Sequence, residues 1–314
     1  GVATSYLEPR LGNTAMRALE REAIRRWPDY AATVENETGH RVGFRLDGQI
    51  KVALPEYRPK LDKDLAARVE QDEAFDVLSG DDIRRLEPSL SPDLTAGAFL
   101  PQGCWVNGRQ LCQGLATLIR KQGGEIMENS PVQRLAFCPD GVAVTIADGT
   151  VMQADKLVLC HGTGGAGSAG SVGDAGGEGG VKIDGMPADI AASRAVRGVN
   201  LLVDQSGLDQ PITHLIKHHR GNLCPRENNQ LIVGTTYESD QWSLDPGPDV
   251  VEFLYNNAEP VFPMVRQLPL LRVTAGLRSK VGDGNLRLGR SVEQPQLYYS
   301  LSHGGAGLLR APVI

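Results

Sequence analysis

The chain has 314 residues, 41% hydrophobic and 22% charged, which is typical of a globular protein with one large domain or two ordinary ones. A formal net charge of −6 without an extended basic cluster argues against a nucleic-acid-binding surface. No apolar run reaches the length of a membrane span, and no signal peptide opens the chain. The five cysteines are never in C-x-x-C spacing, and no histidine has metal-ligand spacing, so we predict a cytoplasmic protein with reduced thiols and no metal.

The first predicted element is a helix over residues 13–37, where apolar side chains recur on one helical face. Pro28 is expected to divide this helix in two, because proline removes a backbone hydrogen bond. Residues 41–54 then alternate between apolar and polar around Asp47 and Gly48, a pair typical of hairpin turns. The sequence therefore predicts a helix followed by a β-hairpin.

The later elements are predicted from the same periodicities and from glycine and aspartate turn signals. The further predicted helices lie at 57–75, within 78–90 with its start near Ser79–Asp82, at 108–124 and at 250–261. The predicted strands lie at 125–129, 142–149, 151–160, 196–204, 214–224, 230–236 and 270–278. Because helices and strands alternate irregularly, a mixed α/β architecture with long-range strand pairing is favoured.

A glycine-rich tract follows the predicted strand that ends at residue 160, and its sequence from 162 to 180 is GTGGAGSAGSVGDAGGEGG. It contains two overlapping G-x-G-x-x-G patterns, which suggest a cradle for a dinucleotide phosphate. Such a cradle also needs a helix whose N–H groups bind the anion, and so much glycine disfavours a helix. Phosphate cradle and flexible linker both stay open, and the composition favours the linker.

Three blocks in the second half of the chain carry a family resemblance: LCPRENNQLIVGTTYESDQWSLDP (223–246), TAGLRSKVGDGNLRLGR (274–290) and YYSLSHGGAGLLRAP (298–312). In this order they resemble the glycine oxidase and D-amino-acid oxidase family of FAD-dependent amine oxidases. The segment SRAVRGVNLLV (193–203) is also similar to a strand of that family. The resemblance, block by block, covers nearly the whole chain.

The resemblance implies an α/β (mixed α+β) two-domain fold like that of D-amino-acid oxidase. It combines a Rossmann-like FAD-binding part, incomplete here, with a substrate domain built on a mixed, mainly antiparallel sheet. The expected boundaries are 1–40, 100–192 and 283–314 for the FAD-binding part, and 41–99 and 193–282 for the substrate domain.

Family members begin with a strand, a G-x-G-x-x-G turn and a helix that grip the FAD, and no such unit stands before Gly1 in this sequence. Three explanations stay open: a trimmed fragment, a sequence from which segments are omitted, or an enzyme whose nucleotide-binding unit is a separate chain. A homo-oligomer is the other partnership that we consider.

By resemblance, the expected function is oxidative deamination of a small amino acid or amine, with hydride transfer from the substrate Cα to N5 of the flavin. FAD is the expected cofactor, because in such enzymes the flavin accepts the hydride. Two alternatives are kept, a non-catalytic fragment and a component of a hetero-oligomeric amino-acid dehydrogenase.

Arg278, in the stretch AGLR, matches the family's carboxylate-binding arginine, and a guanidinium binds carboxylates through two parallel hydrogen bonds. An arginine without this context is more often a surface residue. The resemblance places Tyr237, Asn222, Lys217 and Tyr6 around the same substrate. Lys217 either favours an acidic or larger substrate or faces solvent, and both interpretations stay open.

The expected flavin contacts lie in three segments. The stretch GVATSYLEPR is similar to one that lies over the flavin in relatives, and SHGGAGLL supplies glycines for close backbone approach to the ring. An ordinary glycine turn is the alternative for the latter, and a plain core valine is the alternative for Val132. The predicted cofactor-binding residues are Thr4, Ser5, Tyr6, Val132, His303, Gly304, Gly305, Ala306, Gly307, Leu308 and Leu309.

Overall fold

The computed structural model describes residues 6–7, 14–163, 183–186, 193–281 and 286–314. Its α-helices lie close to the positions that the sequence predicts, except for the last one, which was not predicted. They are α1 (Thr14–Thr38), α2 (Arg58–Val69), α3 (Gly80–Leu86), α4 (Gly108–Lys121), α5 (Gly247–Ala258) and α6 (Gly307–Arg310). Short 3-10 helices lie at Pro55–Tyr57, Pro263–Gln267, Gly304–Ala306 and Ala311–Val313.

Helix α1 runs without interruption through Pro28, so the prediction that this proline divides it was wrong. The neighbouring Trp27 is fully buried and stacks on Phe44, with their ring centroids 5.6 Å apart. Its indole Nε1 donates a hydrogen bond of 3.0 Å to the carbonyl of Leu309. This packing stabilises the helix around the proline and offsets the backbone hydrogen bond that proline removes.

The start of α3 is confirmed and has a clear local cause. Ser79 accepts a hydrogen bond at Oγ from the backbone N–H of Asp82, at 3.2 Å. In return, the Asp82 carboxylate accepts from the backbone N–H of Ser79 at 3.0 Å. This reciprocal capping box satisfies two of the helix's otherwise unpaired donors.

The strands of the described residues form four sheets. They are β1 (Tyr6–Leu7), β2 (Gln49–Ala53), β3 (Asp76–Ser79), β4 (Ala96–Leu100), β5 (Cys104–Trp105), β6 (Val132–Cys138), β7 (Gly141–Ile146), β8 (Val151–Ala154), β9 (Leu157–Leu159), β10 (Ser193–Asp204), β11 (Leu215–His218), β12 (Gly221–Pro225), β13 (Gln230–Gly234), β14 (Glu238–Ser239), β15 (Leu270–Val281), β16 (Arg287–Arg290) and β17 (Leu297–Leu301).

Several strand predictions were wrong. The segments 151–160 and 214–224, each predicted as one strand, are two strands each, β8 and β9 and then β11 and β12. Residues 125–129 form no strand, because a turn at Asn129, with φ of 55°, precedes the strand that begins at Val132. The hairpin over 41–54 is also absent, since only Gln49–Ala53 is a strand there. Both edges of that strand pair with distant strands, antiparallel to β4 and parallel to β11, so tertiary pairing overrides the local turn signal.

The largest sheet has nine strands and is mainly antiparallel, as expected. Its strands follow the order β14-β10-β13-β12-β11-β2-β4-β3, and β15 pairs with the other edge of β10. Only the pairing of β11 with β2 is parallel. Residues from both halves of the chain therefore meet at the centre of this sheet.

One face of the large sheet carries the main hydrophobic core. Alternate strand residues point into it, and α3, α5 and the segment after α5 cover them. The buried members include Ile50, Val52, Ile83, Val199, Leu201, Ile216, Leu223, Leu231, Val233, Leu254 and Phe262. The intervening strand residues therefore project from the opposite face.

Smaller sheets complete the fold. Strands β6, β7 and β8 form one, β16, β17 and β9 form a second with β9 parallel to β17, and β1 pairs with β5. Strand β9 confirms the strand predicted before the glycine-rich tract, but residues 164–182 lie outside the described residues. The division into an FAD-binding part and a substrate domain stays a proposal.

Two predictions from composition can be compared with the structure. All five cysteines are free thiols, with Cys104 and Cys224 buried. Over the described residues, no helix is both long and apolar enough to cross a lipid bilayer.

Candidate active site

A polar row crosses the second face of the large sheet, opposite the hydrophobic core. Each member is the direct cross-strand partner of the next, and directly opposed residues project from the same face of a sheet. In order from β15 to β2 the row consists of Thr274, Asn200, Gly234, Asn222, Lys217 and Lys51. The structure thus places Asn222 and Lys217 side by side.

Arg278 projects from the same face, because it lies an even number of positions after Thr274 on β15. Its Nη2 donates a hydrogen bond of 3.0 Å to Oγ1 of Thr235, and its Nη1 donates one of 3.3 Å to the carbonyl of Thr236. The side chain is half-buried. These two donors fix the guanidinium next to Gly234 in the polar row.

Gly198 makes room for this guanidinium. It lies on β10, two residues before Asn200, and a Cβ at this position would lie 2.3 Å from both Nη atoms of Arg278. No real Cβ approaches so closely, so the observed position of the guanidinium requires glycine here.

The amide of Asn200 and the amide oxygen of Asn222 are buried and lack hydrogen-bond partners among the described residues. The two residues are 1% and 3% exposed, on either side of Gly234. Both Oδ1 and Nδ2 of Asn200, and Oδ1 of Asn222, have no hydrogen-bond partner in the protein. Since buried polar groups are nearly always hydrogen-bonded, these atoms indicate where the polar atoms of a ligand would fit.

Tyr237 lies beside the guanidinium. Its ring centroid is 5.9 Å from Cζ of Arg278 and 4.8 Å from Nζ of Lys280, and the residue is 56% exposed. Both cations can therefore interact with the negative face of the ring. The structure brings Arg278 and Tyr237 together, as the resemblance implies.

The residue after Tyr237 is Glu238, whose carboxylate accepts hydrogen bonds from Arg197 and Thr236. Burial alone would raise the pKa of Glu238, but hydrogen bonds from Arg197 and Thr236 lower it below its usual range. Arg197 donates to this carboxylate at 2.5 and 3.1 Å. Glu238 is thus an ionised group that is hydrogen-bonded to Arg197 and also interacts with the charge of the Arg278 guanidinium.

The segment with the predicted flavin contacts lies against β15. Ser302 and Gly304 adopt left-handed backbone conformations, with φ of 62° and 56°, and the 3-10 helix Gly304–Ala306 contacts β15. A Cβ at Gly305 would meet no other atom within 4 Å. The backbone of Gly305 therefore borders open space near the strand that carries Arg278.

His303 belongs to this turn. Its Nε2 lies 2.9 Å from Oγ of Ser300. Burial lowers the pKa of the His303 imidazole, so the ring is neutral at pH 7. His303 therefore lies within the turn and contacts Ser300, and its lack of a catalytic role stays a prediction.

The remaining predicted cofactor residues occupy different places. Ala306 and Leu309 are buried against α1, and Gly307, Leu308 and Leu309 belong to α6. Thr4 and Ser5 lie outside the described residues. Tyr6 pairs with Trp105 through the backbone, and Val132 begins β6 on a separate sheet, away from the polar row.

Sequence reasoning missed Gly198 and Asn200. Asn200 is a polar residue within an otherwise apolar strand, GVNLLV, and a buried polar residue in such a strand often marks a site. That signal was available in the sequence. The role of Gly198 depends on a neighbour 80 positions further along the chain (278 − 198 = 80), which no local pattern reveals.

Replacing Gly198 by alanine is expected to reduce substrate oxidation with little effect on stability. The new Cβ would meet only the flexible end of Arg278, which would move aside. A displacement of about 1 Å in a positioning group can cost about a hundredfold in rate. Steady-state kinetics of the full-length protein test this, with Gly207→Ala as the control because a Cβ there meets nothing within 4 Å. Unchanged kinetics in Gly198→Ala would contradict the positioning role.

Comparison with known proteins shows which proteins the chain is similar to. The chain is 25% identical over 240 residues to a glycine oxidase from Bacillus licheniformis, which covers 76% of this chain and 60% of that protein. It is 21% identical over 291 residues to a component of the opine oxidase from Agrobacterium tumefaciens, which covers 91% of this chain and 72% of the relative. The chain therefore spans about 60% of the length of its glycine oxidase relative.

A solved structure supports the fold. The glycine oxidase from Geobacillus kaustophilus superposes with a TM-score of 0.86 at 19% identity, over 99% of this chain and 80% of that one. The model of the family described as FAD dependent oxidoreductase matches residues 1–314. The family resemblance inferred from the sequence is thereby confirmed, and the protein belongs to the FAD dependent oxidoreductase family.

Proposed function

We propose that the full-length protein oxidises the CH–NH bond of a small amino acid or amine, with FAD as the electron acceptor. The observation that carries the proposal is the guanidinium of Arg278, held over Gly198 next to the unpartnered buried amide of Asn200. A guanidinium binds a carboxylate through parallel N–H donors, and the amide of Asn200 lies on the same face for a neighbouring polar group of the substrate.

The residues present fit the ring end of FAD. A Cβ at Gly305 would meet nothing within 4 Å, and the 3-10 helix Gly304–Ala306 contacts β15, so a flat ring can approach the backbone of Gly305. We propose that the segment from His303 to Leu309 holds this ring, with the backbone near Tyr6 on its other side. Val132 would meet the adenine. Bound flavin would supply the hydride acceptor that amine oxidation requires.

The protein's own residues then bind and orient the substrate. Arg278 holds the carboxylate, and Thr235 holds Arg278, so the substrate Cα is presented at one position. Asn200 and Asn222 accept or donate hydrogen bonds to the amine or its substituent. No group of three or more His, Cys, Asp or Glu among the described residues could hold a metal ion.

A second candidate function is one component of a hetero-oligomeric dehydrogenase. It is favoured by the similarity to a protein named as one of the subunits of an opine oxidase, which extends over 91% of this chain. In this case a partner chain would receive the electrons. A non-catalytic fragment without flavin is the third alternative.

Anaerobic flavin reduction separates these functions. The purified full-length protein is expected to show flavin absorption bands that bleach when an amino acid or secondary amine is added. Oxygen uptake during turnover indicates an oxidase, whereas turnover only with an added dye indicates a dehydrogenase. A protein without flavin bands even after incubation with FAD, or with bands that no amine bleaches, would contradict the proposed function.

A further inference from the structure

We infer that Thr236 is a positioning residue for the substrate carboxylate and acts through the guanidinium of Arg278. Its carbonyl accepts a hydrogen bond from that guanidinium, and its hydroxyl belongs to a buried network with Arg197 and Glu238. The inference rests on the proposed function, in which Arg278 binds the carboxylate. It assigns a role in substrate affinity to residues that lie outside the polar row.

The Thr236 hydroxyl has one partner on each side. It accepts from the backbone N–H of Val199 at 2.9 Å and donates to Oε1 of Glu238 at 2.5 Å. The backbone N–H of Thr236 in turn donates to the carbonyl of Val199 at 3.2 Å. Thr236 is only 4% exposed, so loss of its hydroxyl would leave buried polar groups unsatisfied. Both the side chain and the backbone of Thr236 are therefore fixed to β10.

The carbonyl of Thr236 is one of two acceptors that orient the Arg278 guanidinium. It accepts from Nη1 at 3.3 Å, and Oγ1 of the neighbouring Thr235 accepts from Nη2 at 3.0 Å. A guanidinium is planar, so acceptors on two different Nη atoms fix the orientation of its plane. A shift of the Thr236 backbone would therefore displace the N–H donors that a bidentate carboxylate uses.

Arg197 holds the far end of the network. Its Nε and Nη2 donate to Oε2 of Glu238 at 3.1 and 2.5 Å. Its Nη1 donates to the carbonyls of Ser243 and Asp245 at 3.0 and 2.7 Å, so the same side chain also holds the loop before α5. Arg197 is 7% exposed, and water and salt screen such buried charge pairs much less than exposed ones. The segment from Thr236 to Asp245 is therefore held against β10 at both ends.

Residues 197–199 of β10 all contribute to the place of the Arg278 guanidinium. Gly198 leaves the space that the guanidinium occupies, and the residues on either side of Gly198 hold the segment whose carbonyl accepts from it. Adjacent residues of a strand point to opposite faces of a sheet, so the side chain of Arg197 projects away from the face of Gly198. Arg197 therefore acts on the guanidinium through the segment that it holds.

Thr236→Val tests the inference, because it removes the hydroxyl at nearly constant volume. The probe is methoxyacetate, which has the carboxylate and the chain length of sarcosine but no oxidisable amine. Calorimetry on the full-length protein with FAD added should show about tenfold weaker binding to Thr236→Val than to the parent, about the effect of one charge-assisted hydrogen bond. Thr236→Ser keeps the hydroxyl and should retain most of the parent affinity.

Thr213→Val is the matched control. The Thr213 hydroxyl also donates to a buried glutamate, Glu87, at 2.8 Å, but it lies next to β11, three strands away from β10. Both valine variants should lower the midpoint of urea denaturation, because each leaves a glutamate without one hydrogen bond. Only Thr236→Val should weaken methoxyacetate binding, whereas a purely structural role of Thr236 predicts the same affinity in both variants.

A double variant links the effect to Arg278. With the best amino acid substrate, Thr236→Val should lower kcat/KM about tenfold, because the carboxylate is held in a displaced position. In an Arg278→Ala background, Thr236→Val should cause no further loss, since its carbonyl then positions no guanidinium. A further loss of about tenfold in that background would show that Thr236 acts independently of Arg278, and it would overturn the inference.

Failure of this inference and failure of the proposed function give different results. Weaker methoxyacetate binding to Thr236→Val, in a protein whose flavin no amine bleaches, would support the positioning role and contradict amine oxidation. Methoxyacetate affinity of Thr236→Val within about threefold of Thr213→Val, or no binding to the parent, would overturn the positioning role. If Thr236→Val does not fold, Arg197→Lys replaces it under the same limit, because an ammonium lacks the planar fork that holds Glu238 and the loop carbonyls together.

Discussion

Replacement of Arg278 by alanine is expected to lower kcat/KM of the full-length enzyme roughly thirty- to several-thousand-fold. The variant removes the two-pronged partner of the substrate carboxylate, and loss of one member of such a charge pair costs about 2–5 kcal/mol. Each 1.4 kcal/mol corresponds to about a tenfold change. The measurement is steady-state oxidation of glycine, sarcosine, D-alanine and D-aspartate.

The controls for Arg278 follow from its position on β15. Arg278→Lys should retain little of the parent kcat/KM, because an ammonium lacks the planar fork of a guanidinium. Arg272→Ala, on the same strand but exposed, should leave kinetics unchanged. Flavin content should also be unchanged, since Arg278 is proposed to contact substrate and not the dinucleotide. Oxidation of the best substrate by Arg278→Ala within threefold of the parent would contradict the assignment.

The second large effect is expected on stability, from the buried ion pair between Glu20 on α1 and Arg310 on α6. The two side chains are 0% and 3% exposed, and the guanidinium donates to Oε1 of Glu20 at 2.5 and 3.1 Å. Arg310→Ala leaves a buried carboxylate without its partner, which should lower the free energy of unfolding by about 3–5 kcal/mol. Urea denaturation of the full-length protein measures this.

A double variant controls for lost packing. Glu20→Met with Arg310→Met replaces both charged side chains by apolar ones of similar length, and it should recover most of the lost stability, because an apolar substitute for a buried pair is often neutral. Arg310 also donates to the carbonyl of His303 at 3.4 Å, so Arg310→Ala should loosen the proposed flavin segment as well. A loss below about 1 kcal/mol in Arg310→Ala would show that the pair is not important for stability.

The elements that the sequence predicts well are those with local causes. Helix α3 begins at Ser79 because its capping box lies within four residues, and α4 follows from a single apolar stripe. The hairpin over 41–54 failed because β2 finds its partners in β4 and β11. Pro28 failed as a helix breaker because the packing of Trp27 outweighs one missing hydrogen bond.

The candidate site was predictable only where a short motif carries it. Arg278 and the turn at residues 302–309 stand in blocks that resemble a family, so the sequence alone indicates them. The polar row depends on the register of six strands, and a shift by one residue would turn its side chains to the other face. Neither the row nor the place of Gly198 beneath Arg278 could therefore be read from local patterns.

The order of strands in the large sheet also bears on how the site is made during synthesis. The polar row joins Lys51 to Thr274, so it cannot close until most of the chain has left the ribosome. Pairings between such distant residues form slowly, since loop closure costs entropy before the contacts repay it. In a nascent chain that ends before β15, the edge of β10 that pairs with β15 would be exposed. An unpaired strand edge can associate with other chains. The ability to bind substrate at the polar row and the protection of β10 from aggregation should therefore appear together, late in translation.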